Sequence, residues 1–133
     1  MRYLLDTSAV LAHYRREKGW ESVQAIFESE DAEIFIASVT LTELGRRLRD
    51  LGASQEQAEE IIASYQLLSS EVASIDVTVA DRATAFVYLM PQRLPLVDTL
   101  IAAVAQHVEA VLVHRDKHMR QIPSALLQQQ DLE

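Results

Sequence analysis

The sequence contains no cysteine among its 133 residues. A disulfide framework and a zinc site built from thiolates are therefore excluded, and a secreted fold held by bridges is not expected. The opening residues reach Asp6 too early to supply the apolar segment of a signal peptide. No apolar run approaches the length of a membrane span, and the longest, Leu100 to Ala105, is interrupted by Gln106 and His107. These absences predict a soluble, cytoplasmic protein.

Positive charge is scarce, with 12 Lys and Arg against 20 Asp and Glu and a net charge of −8. This balance argues against a protein that binds nucleic acid through bulk positive charge. Nine of the twelve basic residues nevertheless fall into three clusters near acidic residues: Arg15, Arg16 and Lys18; Arg46, Arg47 and Arg49; Arg115, Lys117 and Arg120. A solvated helix face explains any one cluster. Three clusters beside three acids indicate a local phosphate-binding rim.

No internal repeat and no linker interrupts the chain, and 49% hydrophobic residues are enough for one continuous core. Apolar runs predict short strands at four places: Tyr3 to Leu5, Glu33 to Ala37, a stretch marked by Val72, Ile75 and Val77, and Ala110 to Val113. Helical patterns lie between them. The alternation predicts an α/β fold with a mostly parallel sheet of four or five short strands and helices on both faces. We expect a single domain over residues 1–133, with a polar, frayed tail over about 124–133.

Several helix ends are marked by specific residues. Gly52 is placed to end the helix after the second strand in a left-handed conformation. Ser54 and Gln57 have the spacing of a capping box for the next helix, and Thr78 and Asp81 have the same spacing for a later one.

Four acidic residues fall where this alternation would place them at one edge of the sheet: Asp6, Glu43, Asp98 and Asp116. In open α/β sheets, ligands bind outside the carboxyl ends of the strands. Because crowded carboxylates destabilise one another, a hard divalent cation with oxygen ligands is the usual remedy. Carboxylates without thiolates suit Mg²⁺ or Mn²⁺ better than Zn²⁺. Such a cluster is typical of metal-assisted phosphodiester hydrolysis.

Taken singly, each acid also has an ordinary explanation. Asp6 is placed to cap a helix, and Glu43 to complete a box begun by Thr40. Asp98 would complement a helix dipole, and Asp116 would turn a loop. Their joint placement at strand ends favours a shared site over four separate caps.

Four stretches carry a family resemblance: YLLDTS at residues 3–8, SVTLTEL at 38–44, LPLVDTLIAA at 94–103 and RDKH at 115–118. In this order and spacing they resemble the PIN-domain ribonucleases, and among these the VapC-like toxins of type II toxin–antitoxin pairs. The resemblance implies a three-layer α/β sandwich and a metal-dependent endoribonuclease. It also implies a homodimer, neutralised by a VapB-like antitoxin whose C-terminal segment covers the active site.

By this resemblance, the catalytic and metal-binding residues are Asp6, Glu43, Asp98 and Asp116, with Mg²⁺ or Mn²⁺ as the cofactor. The hydroxyl of Thr7 or Ser8 would help to orient the site. RNA contacts are expected at Thr7, Ser8, Arg46, Arg49, Arg115 and Lys117.

Two positions depart from the family pattern. His114 stands where Thr or Ser usually precedes Arg-Asp, and Met119 stands where an aromatic residue is common. We expect His114 to be a partly exposed loop residue rather than a catalytic group. The isolated histidines His13, His107 and His118 are assigned no chemistry.

Two alternatives to a nuclease remain open. Phosphoacceptor signalling domains are also α/β and bind Mg²⁺ at strand ends, but they need adjacent acids after the first strand, whereas Asp6 is followed by Thr7. They also need a lysine after the last strand, and Lys117 comes only after Asp116. A PIN-fold binding module without catalysis is the second alternative, and retention of all four acids argues against it.

Overall fold

The computed structural model describes residues 1–133 and contains five strands and seven helices in alternation. The strands are β1 (Arg2–Leu5), β2 (Glu33–Ala37), β3 (Glu71–Ala73), β4 (Val111–His114) and β5 (Gln129–Asp131). Every strand pair is parallel, and the order across the sheet is β3-β2-β1-β4-β5. The predicted α/β class is therefore confirmed.

The helices cover both faces of this sheet. They are α1 (Thr7–Arg15), α2 (Trp20–Glu28), α3 (Ser38–Asp50), α4 (Gln55–Leu68), α5 (Val77–Leu89), α6 (Leu96–His107) and α7 (Lys117–Arg120). None of them is both long and apolar enough to cross a membrane.

Two hydrophobic cores flank the sheet because successive side chains of a strand point to opposite faces. Leu4 and Leu112 belong to a core of 18 buried residues shared with α5, α6 and α7. Their neighbours Leu5 and Val113 belong to a core of 13 buried residues shared with α1 to α4. A sheet buried on both faces explains why its strands read as apolar runs rather than as alternating patterns.

Two of the predicted helix ends are confirmed and one is not. Gly52 has φ +96°, just beyond the end of α3. Ser54 and Gln57 form the reciprocal capping box of α4. The predicted box at Thr78 and Asp81 is wrong, because Asp76 caps α5 by accepting a 3.0 Å hydrogen bond from the backbone N–H of Val79.

The C-terminal residues are ordered, so the expected frayed tail over 124–133 is wrong. Residues Gln129–Asp131 form β5 on the edge of β4. The polar glutamines are held by backbone pairing, while Leu127 and Leu132 on either side are buried. Leu132 packs closely on Gly19: a Cβ added to Gly19 would lie 2.6 Å from the Cβ of Leu132.

Candidate functional site

The strand order reverses at β1. Strands β2 and β3 lie on one side of β1, whereas β4 and β5 lie on its other side. Such a switch point leaves a crevice at the carboxyl ends of the strands. Asp6 directly follows β1, and its backbone N–H donates a 3.0 Å hydrogen bond to the carbonyl of Val113 in β4. Asp116 follows β4 after one intervening residue. The crevice therefore receives one acid from each central strand.

Asp6 occupies the N-cap position of α1, yet its side chain makes no capping hydrogen bond. Instead, the hydroxyl of Ser8 donates to Asp6 Oδ2 at 2.8 Å and accepts from the backbone N–H of Arg115 at 2.9 Å. Ser8 thus joins the first acid to the loop that carries the last one. Burial raises the pKa of Asp6 to about 6 although the Ser8 hydrogen bond lowers it.

Glu43 reaches the same region from the second turn of α3, which begins at Ser38. A capping box between Thr40 and Glu43 is therefore wrong, since Thr40 already lies inside the helix. The hydroxyl of Thr7 donates a 2.6 Å hydrogen bond to Glu43 Oε1. Thr7 and Ser8, both expected near the RNA, thus contact carboxylates of the site directly.

Asp98 lies in the first turn of α6 and is only 9% exposed. Burial raises its pKa to about 7, with further contributions from the negative charges of Asp116, Asp6 and Glu43. Each of the other three acids therefore lies close enough to act on Asp98 electrostatically. The structure brings the four acids named from the sequence into one region.

His118 also belongs to this region, and sequence reasoning missed it. Asp116 caps α7 by accepting a 2.6 Å hydrogen bond from the backbone N–H of His118. The tight turn directs His118 Nδ1 back to 3.2 Å from Asp116 Oδ1 and 3.7 Å from Asp98 Oδ2. The only feature of the sequence that could have indicated His118 is its position two residues after Asp116, and many surface histidines have such a position.

The charge balance of the region is unusual. None of Asp6, Glu43, Asp98 and Asp116 forms an ion pair with Lys or Arg, and His118 is the one basic side chain within 4 Å of any of them, at Asp98 and Asp116. One ligand atom from each of Asp98, Asp116 and His118 lies within 4.8 Å of the others. Oxygen donors at this spacing fit a hard divalent cation, and the single imidazole is compatible with a transition metal.

His114 is not the partly exposed loop residue that the sequence led us to expect. It is the last residue of β4 and is completely buried. It lies on the same face of the sheet as Leu112, because both are two positions apart in a strand. Burial lowers the pKa of His114, so its neutral form is favoured.

The three basic clusters differ in how they are paired. Arg115 forms ion pairs with Glu17 and Glu133, and Arg120 pairs with Asp131. Ion pairs also involve Arg15 and Lys18. The cluster on α3 makes none: Arg46 and Arg49 line a groove of about 800 Å³ between α3 and α4. Lys117, at the start of α7, is exposed and also unpaired.

Comparison with solved structures shows the same fold at low sequence identity. VapBC2 from Rickettsia felis, bound to a promoter DNA fragment, contains a chain with a TM-score of 0.78 and 18% identity, with 98% of both chains covered. VapBC-1 from nontypeable Haemophilus influenzae gives a TM-score of 0.77 and 19% identity, covering 99% of this chain and 98% of that one. DNA-bound VapBC from Salmonella typhimurium gives 0.75 and 18%, with 99% and 98% covered.

Among curated proteins, no significant match to this sequence is found. The PIN domain family model, in contrast, matches residues 3–125. That span includes all four acids and every strand except β5. The chain belongs to the PIN domain family.

Proposed function

We propose that this protein is a cytoplasmic, metal-dependent endoribonuclease and the toxin of a VapBC-type toxin–antitoxin pair. One observation carries the proposal. Four acids of a PIN-family chain lie within electrostatic range of one another near the switch point of the sheet, and none of them forms an ion pair with Lys or Arg. A divalent cation is the partner that such a group of carboxylates lacks.

The chain's own side chains have distinct roles in this proposal. Asp6, Glu43, Asp98 and Asp116 would hold Mg²⁺ or Mn²⁺, and His118 would offer a nitrogen donor beside Asp98 and Asp116, with which it forms a close group. When bound, the cation would polarise a phosphoryl oxygen of RNA and activate a water molecule. Ser8 and Thr7 fix the directions of the Asp6 and Glu43 carboxylates through their hydroxyl groups.

RNA contacts are proposed for the basic residues whose charge is free. Arg46 and Arg49 lie one turn and nearly two turns beyond Glu43 on α3, so a backbone entering the site from their groove would pass both guanidinium groups. Lys117 lies beside Asp116 and is equally unpaired. We exclude Arg115 from the proposed RNA contacts, because its guanidinium is engaged by Glu17 and Glu133.

Two protein partners are proposed. The similar solved structures include VapBC assemblies and a toxin–antitoxin complex, which supports a VapB-like antitoxin here as well. A homodimer is supported by an exposed apolar patch at the α5–α6 connection, where Tyr88 is 85% and Leu96 is 72% exposed beside Val87 and Leu89. Val87 and Leu96 line one groove, and exposed apolar surface that is grouped in this way marks interaction sites. Sedimentation of the parent and of Tyr88→Glu tests this interface. If the patch forms a homodimer, the parent should sediment as a dimer and the variant as a monomer. Equal masses for the two proteins would exclude the patch as a dimer interface.

The sheet topology weighs against the phosphoacceptor alternative. In flavodoxin-like signalling domains, the third strand lies next to the first. In this chain β1 lies between β2 and β4, and β3 is at the outer edge beyond β2.

Metal-dependent cleavage of a mixed RNA pool tests the proposed activity. The parent should cleave the RNA when Mg²⁺ or Mn²⁺ is present, and cleavage should stop when a chelator is added. Asp98→Asn should reduce cleavage by orders of magnitude, because it removes a charge from the cation site while keeping the shape of the side chain. Asp81→Asn, which removes the same charge from an exposed position on α5, is the matched control and should cleave normally.

A parent that cleaves equally with and without metal would contradict a cation-based mechanism. A parent that binds metal and never cleaves RNA would instead support the non-catalytic binding module. Normal cleavage by Asp98→Asn would remove that residue from the site.

A further inference from the structure

Partly buried hydrogen bonds connect the C-terminal strand to the loop that carries Asp116. The side-chain amide of Gln129 in β5 donates to the carbonyl of Ile122 at 2.8 Å. The oxygen of the same amide lies 2.7 Å from His114 Nε2. On the other side of the ring, the backbone N–H of Asp116 donates to His114 Nδ1 at 3.1 Å.

The partners at each end assign the proton on the ring. A backbone N–H can only donate, so His114 Nδ1 is the acceptor and the ring proton is on Nε2. A carbonyl can only accept, so Gln129 turns its NH₂ toward Ile122 and its oxygen toward His114. Every donor in this sequence of bonds therefore has an acceptor, and the ring is held from both sides.

The neighbouring backbone group is anchored as well. The N–H of Arg115 donates to Ser8, whose hydroxyl in turn donates to Asp6. Two successive N–H groups of the loop are thus fixed, one by α1 and one by His114. On the far side, the Asp116 carboxylate is fixed by the N–H of His118. The direction of Asp116 depends on all three bonds, and the one to His114 connects it to β5 through Gln129.

We propose that His114 is a positioning residue, which sets the direction of Asp116 by accepting its backbone N–H and transmits the anchorage of β5 to the site. The inference rests on the proposed metal site. It gives a function to a fully buried side chain and to a C-terminal strand of polar residues. A branched alkyl side chain of similar size would fill the space but leave the N–H of Asp116 without its acceptor.

Two substitutions separate the bonds of the ring. His114→Asn places an amide oxygen near the position of Nδ1 and can accept the N–H of Asp116, but it does not reach Gln129. His114→Gln extends its amide to the position of Nε2 and keeps the contact with Gln129, but it leaves Asp116 without its acceptor. The two variants are close in polarity, so a difference between them reports which bond matters.

Three quantities should be measured on both variants and the parent at one pH: exchange of the Asp116 amide hydrogen, Mn²⁺ affinity by calorimetry, and the melting temperature without metal. His114→Gln should exchange the Asp116 amide about tenfold faster and bind Mn²⁺ about tenfold more weakly, the usual size of effects from residues that orient a ligand. His114→Asn should stay near the parent in both, even if it melts at a lower temperature.

A purely structural histidine gives a different pattern. Amide exchange and Mn²⁺ affinity would then be equal in the two variants, or would simply follow the melting temperature, and the inference would be overturned. Failure of the proposed function is recognised separately, as a parent that does not cleave RNA. The exchange of the Asp116 amide decides the positioning role in either case.

Discussion

Thr7 Oγ1 donates a 2.6 Å hydrogen bond to Glu43 Oε1 and lies 3.4 Å from the hydroxyl of buried Thr40. The bond connects the first residue of α1 to the second turn of α3, elements that follow different strands. Hydrogen bonds to a charged group contribute about 1.5–3 kcal/mol. Thr7 is therefore well placed to hold Glu43 toward the other acids before any cation binds.

Replacement of Thr7 separates its hydroxyl from its shape. Thr7→Val keeps the volume of this buried side chain but removes the donor, so single-turnover RNA cleavage should fall by about tenfold, equivalent to roughly 1.4 kcal/mol. Thr7→Ser keeps the hydroxyl and should retain most of the rate. The control Thr84→Val removes a hydroxyl that bonds only within α5. Equal rates for the Val and Ser variants would show that the hydrogen bond to Glu43 has no effect on the reaction.

The elements that the sequence predicts best are those fixed by local chemistry. The bounds of β2 match the predicted ones, and the helix that follows it ends just before Gly52 as expected, because an apolar run and a glycine mark these positions locally. β5 depends instead on a distant partner. Its residues Gln129–Asp131 have no apolar pattern, and they form a strand because β4 offers an open edge and the flanking leucines are buried.

The same distinction applies to the site. The shared location of the four acids could be predicted because Asp6 and Asp116 follow strands, Glu43 and Asp98 lie near the starts of helices, and a parallel sheet brings its carboxyl ends to one edge. The side-chain contacts could not be predicted. His118 reaches Asp98 only because the tight turn at Asp116 points it toward α6. The hydrogen bond of His114 likewise depends on Gln129 of β5, a strand that the sequence did not reveal.

The metal-free protein should lose stability as the pH rises. Asp6 and Asp98 have folded-state pKa values raised to about 6 and about 7, above the ordinary value of 3.8. Between about pH 4 and pH 7 the folded state therefore binds more protons than the unfolded state, so the free energy of unfolding falls with pH. Urea denaturation with a chelator present should show higher stability at pH 5 than at pH 7.5. A stability that rises over this interval would contradict the burial of these two carboxyls.

Asp98→Asn should change that pH dependence in a defined way. At pH 7.5 without metal the variant should melt at the parent's temperature or higher, since repulsion among the acids is relieved. As the pH falls the difference should shrink, and it should vanish only below about pH 4, where Asp98 is protonated in both the folded and the unfolded parent. Added Mg²⁺ or Mn²⁺ should stabilise the parent more than the variant by mass action. If Asp98 serves only the helix dipole, the variant should instead melt lower at pH 7.5 and gain as much from metal as the parent does.

The α3 arginines should contribute to RNA affinity without affecting metal binding. Replacing Arg46 and Arg49 with Ala removes two unpaired charges from the groove between α3 and α4. For single-stranded RNA each lost phosphate contact should flatten the plot of log affinity against log salt by about 0.7, so the double variant should flatten it by about 1.4. A filter-binding titration over several salt concentrations measures both affinity and slope.

A matched double variant keeps the charge change but moves it away from the site. Arg2 bonds the carbonyl of Val108 and Arg82 bonds Gln106, both near the end of α6 opposite to Asp98. Replacing these two with Ala should leave the salt slope unchanged. Equal slopes for the two double variants would show that Arg46 and Arg49 do not contact RNA and belong to a solvated helix face.

His118 should affect the choice of metal more than the ability to bind one. Its Nδ1 lies within 4 Å of both Asp98 and Asp116. If this nitrogen is a ligand, His118→Ala should weaken Co²⁺ binding by about tenfold at pH 7.5, while Mg²⁺, which prefers oxygen ligands and water, should change little. If the ring only offsets negative charge in the metal-free protein, its removal should leave both affinities unchanged or raise both, because a competing positive charge is lost. His107→Ala, at the exposed end of α6, is the control. Calorimetric titration of both metals distinguishes the two results, and equal effects on Co²⁺ and Mg²⁺ would exclude His118 as a ligand.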